Sequence, residues 1–143
     1  MKHNSQFVSP IKRLAASIYD FFLLLGVWFA CGSIALWLNN FKAFDPSNVE
    51  EVHPAIGMGI LFISSWVFYS FFWIKGGTLG MAAWNITIQS AQGGNVTLKQ
   101  ATIRFIVNII ILSTFGLLLL QIYFSKDRKA INDQLSGTKL NLG

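Results

Sequence analysis

Three strongly apolar stretches of this chain carry no charged side chain: residues 21–38, 55–74 and 105–124. The first has 18 residues and the others 20 each. A helix of that length covers roughly 30 Å, the thickness of a bilayer's hydrocarbon core. Charge is scarce in the whole chain, at 12% of residues, against about a quarter in a soluble domain. Hydrophobic residues make up 53%. These facts predict an all-α, polytopic membrane protein forming one domain over residues 1–143, with spans at about 14–38, 55–74 and 105–124 and a polar tail at 125–143.

Asp20 interrupts the first span, between Tyr19 and Phe21. A carboxylate within a membrane helix costs about 2.5–3.5 kcal/mol on insertion scales, so it faces protein or water and requires a partner. Arg13 stands seven residues earlier. Seven steps of about 100° return to nearly the same helix face, roughly 10 Å along the axis. Pro10 is placed to open this helix.

Asn39-Asn40 ends the first span, and Asp45-Pro46-Ser47-Asn48 signals a turn in the loop after it. Trp66, Tyr69 and Trp73 crowd towards the end of the second span, as in an interfacial aromatic belt. Gly76, Gly77 and Gly80 then break the helix. Trp84-Asn85-Ile86-Thr87-Ile88-Gln89 alternates apolar and polar, the period of a half-buried strand. With Gly93-Gly94-Asn95 as a turn, Val96-Thr97-Leu98 is expected to return as a second strand, giving a small interfacial hairpin. The alternative is an amphipathic helix over residues 79–91.

Cytoplasmic segments carry the excess of Lys and Arg. The N-terminal segment has Lys2, Lys12 and Arg13 and no acid, whereas the first loop sets Lys42 against Asp45, Glu50 and Glu51. The Gly-rich segment has Lys75, Lys99 and Arg104 and no acid. The N-terminus and the Gly-rich segment are therefore expected inside and the first loop outside. The tail, with four cations, belongs inside too, which conflicts with a single crossing by residues 105–124. A bend near Ser113-Thr114-Phe115-Gly116 removes the conflict, since each arm would span about half the core. Such a break must be buried in protein or wet. A straight third helix with an ordinary glycine is the other reading.

No enzyme constellation emerges. His53 lies beside Glu50 and Glu51, which reads as a solvated acidic loop and not as a metal site, and His3 is isolated. Ser64, Ser65 and Ser70 have no His near in sequence and read as interhelical hydrogen-bonding groups, as do Asn108 and Gln121. The glycines form no phosphate loop. Cys31 is the single cysteine and lacks a lipoprotein box, and no cleavage site ends the first apolar run. The net charge of +5 sits beside the apolar stretches, which argues against nucleic acid as a partner.

Three motifs carry a resemblance. Arg13-Leu14-Ala15-Ala16-Ser17-Ile18-Tyr19-Asp20 resembles the opening motif of the RDD family of small bacterial membrane proteins, named for one arginine and two aspartates. Gly76-Gly77-Thr78-Leu79-Gly80-Met81-Ala82-Ala83-Trp84 resembles its middle motif. Arg128-Lys129-Ala130-Ile131-Asn132-Asp133-Gln134-Leu135-Ser136-Gly137-Thr138 resembles its closing motif, with Asp133 as the second aspartate. Many relatives have His where this chain has Asn132. The resemblance implies a bacterial inner-membrane location, a suggested role in transport and no cofactor. Arg13, Asp20 and Asp133 become the candidate charge network or ion site, supported by Gly77, Thr78, Gly80, Asn132, Gly137 and Thr138. Arg13 is expected to pair with Asp133, Asp20 or both.

Two functions follow. One is a transport-related role, such as cation or proton exchange, built on the Arg/Asp network. The other is a non-transporting accessory or scaffold that packs against another membrane protein. Three apolar segments enclose little polar volume, so conduction would call for a homo-oligomer. The partners expected are the lipid bilayer and either a second copy or another membrane protein, with no metal.

Overall fold

A computed structural model of the chain describes residues 8–41, 51–114 and 130–143. Helix α1 (Pro10–Asn39) is 30 residues long and opens on Ser9, whose hydroxyl accepts from the Lys12 amide at 3.4 Å. It is about 45 Å long, more than an untilted crossing of a bilayer core requires. Helix α2 (Pro54–Ile74) has 21 residues and is capped by His53, whose Nδ1 accepts from the Ala55 amide at 3.3 Å. Both begin with Pro in the first turn, where a missing N–H costs nothing. These are the two described helices long and apolar enough to span a membrane.

The two spans lean on each other through sparse polar contacts. Trp28 Nε1 of α1 donates to Ser65 Oγ of α2 at 3.0 Å. Only 6% and 11% of their most apolar windows are buried within the protein. Phe22, Phe29, Ile34, Ile56, Phe62 and Ile63 are among the side chains left exposed, as expected of a surface solvated by lipid.

The packed core lies elsewhere, at the end of α2. The helix stops at Ile74, and Gly76 and Gly77 turn the chain with φ of 107° and 149°, conformations that favour glycine. Thr78 then caps the short helix α3 (Leu79–Ala83), its hydroxyl accepting from the Met81 amide at 3.2 Å. Strand β1 (Ile86–Ser90) follows with strict alternation: Ile86, Ile88 and Ser90 are buried, Thr87 and Gln89 exposed. Helix α4 (Leu98–Ser113), helix α5 (Ile131–Ser136) and strand β2 (Thr138–Leu142) complete the described elements. Trp73, Ile86, Ile88, Val96, Ala101, Phe105 and Leu140 pack together with Val8 and Ala16 from the start of α1.

The strand expected at 84–89 forms at Ile86–Ser90, but its partner is not residues 96–98. β1 pairs antiparallel with β2, with Ile86 opposite Leu142, Ile88 opposite Leu140 and Ser90 opposite Thr138. Residues 97–100 instead form a capping box. The Thr97 amide donates to Gln100 Oε1 at 3.0 Å, and the Gln100 amide to Thr97 Oγ1 at 3.3 Å. That reciprocal pair starts α4 at Leu98, where a returning strand had been expected. The expectation of an amphipathic helix across 79–91 fails as well, because α3 ends at Ala83 and Asn85 takes φ of 51° before the strand. The aromatic belt is corrected too: Trp73 is 1% exposed and stacks on Tyr69 inside the core, so it does not sit at a lipid interface.

Helix α4 runs into the third apolar stretch and ends at Ser113. The hydroxyls of Ser113 and Thr114 donate to the carbonyls of Ile109 and Ile111. Whether residues 105–124 bend or run straight, and the place of Gln121, lie outside the described residues.

Replacing Thr97 with Ala removes the cap of α4. We expect a loss of about 1 kcal/mol in thermal unfolding in detergent. Hydrogen exchange should quicken in the first turn of α4, with α1 and α2 unchanged.

Candidate functional site

The N-terminal turns of α1 meet two separate polar clusters, one at Arg13 and one at Asp20. Arg13 reaches Asp133 at the start of α5, its Nη1 lying 2.5 Å from Oδ2. The Arg13 Nε donates to the Val8 carbonyl at 3.3 Å, which fixes the guanidinium against the chain that precedes the helix. The second oxygen of Asp133, Oδ1, receives Arg104 Nη1 at 2.5 Å. Arg104 Nη1 also donates to Thr138 Oγ1 at 2.7 Å, at the first residue of β2. One carboxylate thus binds α1, α4 and α5 together, with the Asp133 and Arg104 side chains each 2% exposed and Arg13 9%.

Burial alone would push the Asp133 carboxyl up, but the guanidinium groups of Arg104 and Arg13 outweigh it and hold it below the ordinary carboxylate range. A carboxylate depressed in this way stabilises the fold at any pH above its unfolded value, about 3.9. That contribution is lost only as pH falls through the lower folded value.

Hydrogen bonds run through the described part of the closing motif around Asp133. Asn132 Nδ2 donates to Asn108 Oδ1 on α4 at 2.7 Å, and Asn132 Oδ1 accepts the Asp133 amide at 3.0 Å. A neutral side chain, Asn132, therefore spans to α4. Ser136 Oγ donates to the Asn132 carbonyl and shares a hydrogen bond with Thr138 Oγ1 at 2.7 Å. Gly137 ends α5 in the left-handed conformation, φ 63°, and lets the chain enter β2. Gln100 Nε2 reads this turn, donating to the Gly137 carbonyl at 3.0 Å and to Ser90 Oγ at 3.1 Å.

Asp20 has different company. Its Oδ2 accepts the Thr78 hydroxyl at 2.5 Å and its Oδ1 the Gly80 amide at 2.9 Å. It is 3% exposed. Thr78 serves two tasks, since the same hydroxyl oxygen accepts from Met81 N–H at the start of α3. Gly80 lies flat against α1: a Cβ there would collide with the Ala16 carbonyl oxygen and the Asp20 carboxylate. Gly77 sits at the turn that aims Thr78 at α1.

Arg13 and Asp20 do not pair with each other, although both lie on the face of α1 that meets the packed end. Of the pairings expected for Arg13, the one with Asp133 forms. Asn108 was read correctly as a group bonding between helices, and its partner is Asn132. Ser65 fits the same reading through Trp28, while Ser64 bonds within its own helix to the Ile60 carbonyl. Arg104 is the residue that sequence reasoning missed. The sequence marks it only as one of the cations of the Gly-rich segment. It lies four residues before Asn108, hence on the same helix face, and that shared polar face was the available signal.

The RDD family profile matches residues 7–137. No curated protein and no solved structure shows a significant match to the chain. Arg13, Asp20 and Asp133, the residues on which the resemblance was read, lie in the two clusters described above. The family's proteins are small, non-catalytic membrane proteins. Its profile covers nearly the whole chain, and the chain belongs to the RDD family.

Arg104→Ala should cost about 3–5 kcal/mol, because Asp133 and Thr138 lose a fully buried partner. Arg13→Ala, at the more open edge, should cost less. A cycle of Arg13→Ala with Asp133→Ala, read by thermal unfolding in detergent, should show clear coupling, and strict additivity would argue against the contact. Gly80→Ala should loosen α3 from α1 by about 1–3 kcal/mol through overpacking. Gly26→Ala, with nothing within 4 Å of the new Cβ, should fall within about 0.5 kcal/mol of native in the same assay.

Proposed function

We propose that this chain is a small bacterial inner-membrane protein with a transport-related role, in which Asp20 is the exchangeable carboxylate and the Arg13–Asp133–Arg104 cluster is the fixed frame around it. One observation carries the reading. Asp20 is buried against two neutral donors, Thr78 and Gly80, and faces no cation among the described residues. Asp133 is clamped by two guanidinium groups. A carboxylate held by neutral donors can take a proton or a monovalent cation without first breaking an ion pair. One held by two arginines cannot. An ionisable side chain inside a membrane segment is a functional position by default, and here the second aspartate has a separate structural task.

The contact between Arg13 and Asp133 supports placing the polar tail on the same side as the N-terminus, which the distribution of Lys and Arg assigns to the cytoplasm. The Gly-rich turn, α3 and the strand pair would then form a cytoplasmic cap over the ends of the spans. The broad apolar faces of α1 and α2 leave room for lipid and for a second copy of the chain. A homo-oligomer would supply the polar path that so few helices enclose poorly.

The test is flux of protons and alkali cations in proteoliposomes. Native protein should carry flux above empty vesicles, and Asp20→Asn should abolish it. Asn can still accept the Gly80 amide and donate to Thr78, so thermal stability should stay near native. Loss of flux together with collapse of stability would place Asp20 in packing alone. Absence of flux from well-folded native protein would favour the accessory or scaffold role.

A further inference from the structure

Residues 76–98 carry no charged side chain, 23 in a row, yet they belong to the packed end and not to a span. A segment facing only water would carry about a quarter charged residues. The exposed side chains of this run divide by element. Strand β1 turns the polar Thr87 and Gln89 outward. Helix α3 turns out Leu79, Ala82 and Ala83, and Trp84 at its C-cap is exposed as well. Leu79 is 54% exposed. The residue of α3 that the protein buries is Gly80, pressed against α1.

Two landmarks give the height of α3 on the spans. The first is on α1. Gly80 meets that helix at the Ala16 carbonyl and the Asp20 carboxylate, and the uncharged run of α1 starts at Phe21. Ile18, Tyr19 and Phe22, at the same height, are exposed, so the apolar face of α3 continues that of the span. The second landmark is on α2. Lys75 is the first charge after residues 55–74, and α3 starts four residues later. The Lys75 ammonium lies over the exposed Phe71 ring, 4.1 Å from its centroid. An aromatic ring and a cation at the end of an apolar run suit the headgroup level, where the ring meets acyl chains and the cation meets phosphate. Charge favours an anionic lipid. Among the described residues at this end, Lys75 and Lys99 are exposed, while the acids Asp20 and Asp133 are buried.

We propose that α3 lies in the membrane interface, with Leu79, Ala82, Ala83 and Trp84 against the acyl chains of an anionic leaflet and Lys75 beside a lipid phosphate. A second protein is the poorer occupant. A stable contact buries roughly 800 Å² on each partner, from about 20–30 residues, and four side chains on one short helix fall well short of that. A leaflet sets no such threshold, and it already solvates the adjoining face of α1. The inference stands apart from ion exchange at Asp20, and either can fail alone.

The test uses the full chain with Cys31→Ala and one new cysteine, Ala82→Cys, Ala83→Cys or Gln89→Cys, labelled with a small fluorophore and held as one protein per lipid nanodisc. Iodide quenches labels in water, and lipids brominated on their acyl chains quench labels among the tails. Labels at positions 82 and 83 should be quenched by bromolipid and resist iodide, and the label at 89 should do the reverse. Both alanines are exposed, so either variant serves if the other does not fold. At these two labels brominated phosphatidylglycerol should bind in preference to brominated phosphatidylcholine by roughly fivefold, the weight of one lysine at an anionic surface. Lys75→Gln should remove that preference. Iodide quenching at 82 and 83 without bromolipid quenching puts α3 in water and overturns the proposal. Resistance to both quenchers gives the face to a protein contact and overturns it too. So does a native protein with no preference for phosphatidylglycerol, or a preference that Lys75→Gln leaves intact.

Discussion

Asp133 is the residue on which the arrangement depends. Its two carboxylate oxygens are divided between Arg13 of α1 and Arg104 of α4, two helices far apart in the sequence. Because Asp133 opens α5, the same contact sets where the chain goes next: through Gly137 into β2 and onto β1. Remove the carboxylate and two buried guanidinium groups remain. A pair of this kind is weak evidence of net stability, because desolvation offsets most of the attraction. What it supplies is uniqueness. No other acid among the described residues could satisfy both arginines, so the tail has one place to dock.

Asp20 and Arg13 divide the labour on α1. They stand seven residues apart, roughly 10 Å along the helix, and each engages a different element. Arg13 takes α5 and Asp20 takes α3. Two separated attachments fix both the rotation of α1 and its height relative to the packed end. Along the rest of its length α1 is held loosely, through contacts such as Trp28 to Ser65. The asymmetry suits the solvent. Lipid tails give no hydrophobic drive for helix association, so hydrogen bonds and ion pairs do the specifying at the packed end.

Much of this was legible in the sequence. Uncharged runs gave the two spans, and the cost of a carboxylate in an apolar helix singled out Asp20 as a residue needing partners. The alternation at Ile86, Thr87 and Ile88 gave β1. What failed did so for identifiable reasons. A strand's period says nothing of its partner, and proximity in sequence favoured Val96-Thr97-Leu98 over a segment some fifty residues away. The competing signal was present: Thr97 and Gln100 stand at capping-box spacing, and the box prevailed. Arg104 was hidden by its position. At the edge of an apolar run a cation is expected to face lipid headgroups, and only the tertiary return of Asp133 turns it inward. The aromatic residues at the end of α2 misled in the same way. Trp73 marks a membrane boundary by composition, yet it is roofed by Arg104 and the strand pair.

The placement of the core narrows what a working cycle could move. Apolar packing is concentrated where β1, β2, α4 and the end of α2 meet, and that body is cross-linked by Gln100, Asn108 and the Asp133 cluster. The contact of α3 with α1 is close and its hydrogen bonds converge on one side chain. It rests on Thr78, Gly80 and one carboxylate, with a glycine in place of a side chain at the point of closest approach. Under the proposed function, a proton or cation arriving at Asp20 would compete for the oxygens that hold α3. Neutralising the carboxylate weakens both bonds at once, since charge-assisted hydrogen bonds are roughly twice as strong as neutral ones. Movement would then fall on the α1–α3 seam, between two turns of helix, while Arg13 and Asp133 keep the frame. A carboxylate that is at once ion site and latch needs no separate gate.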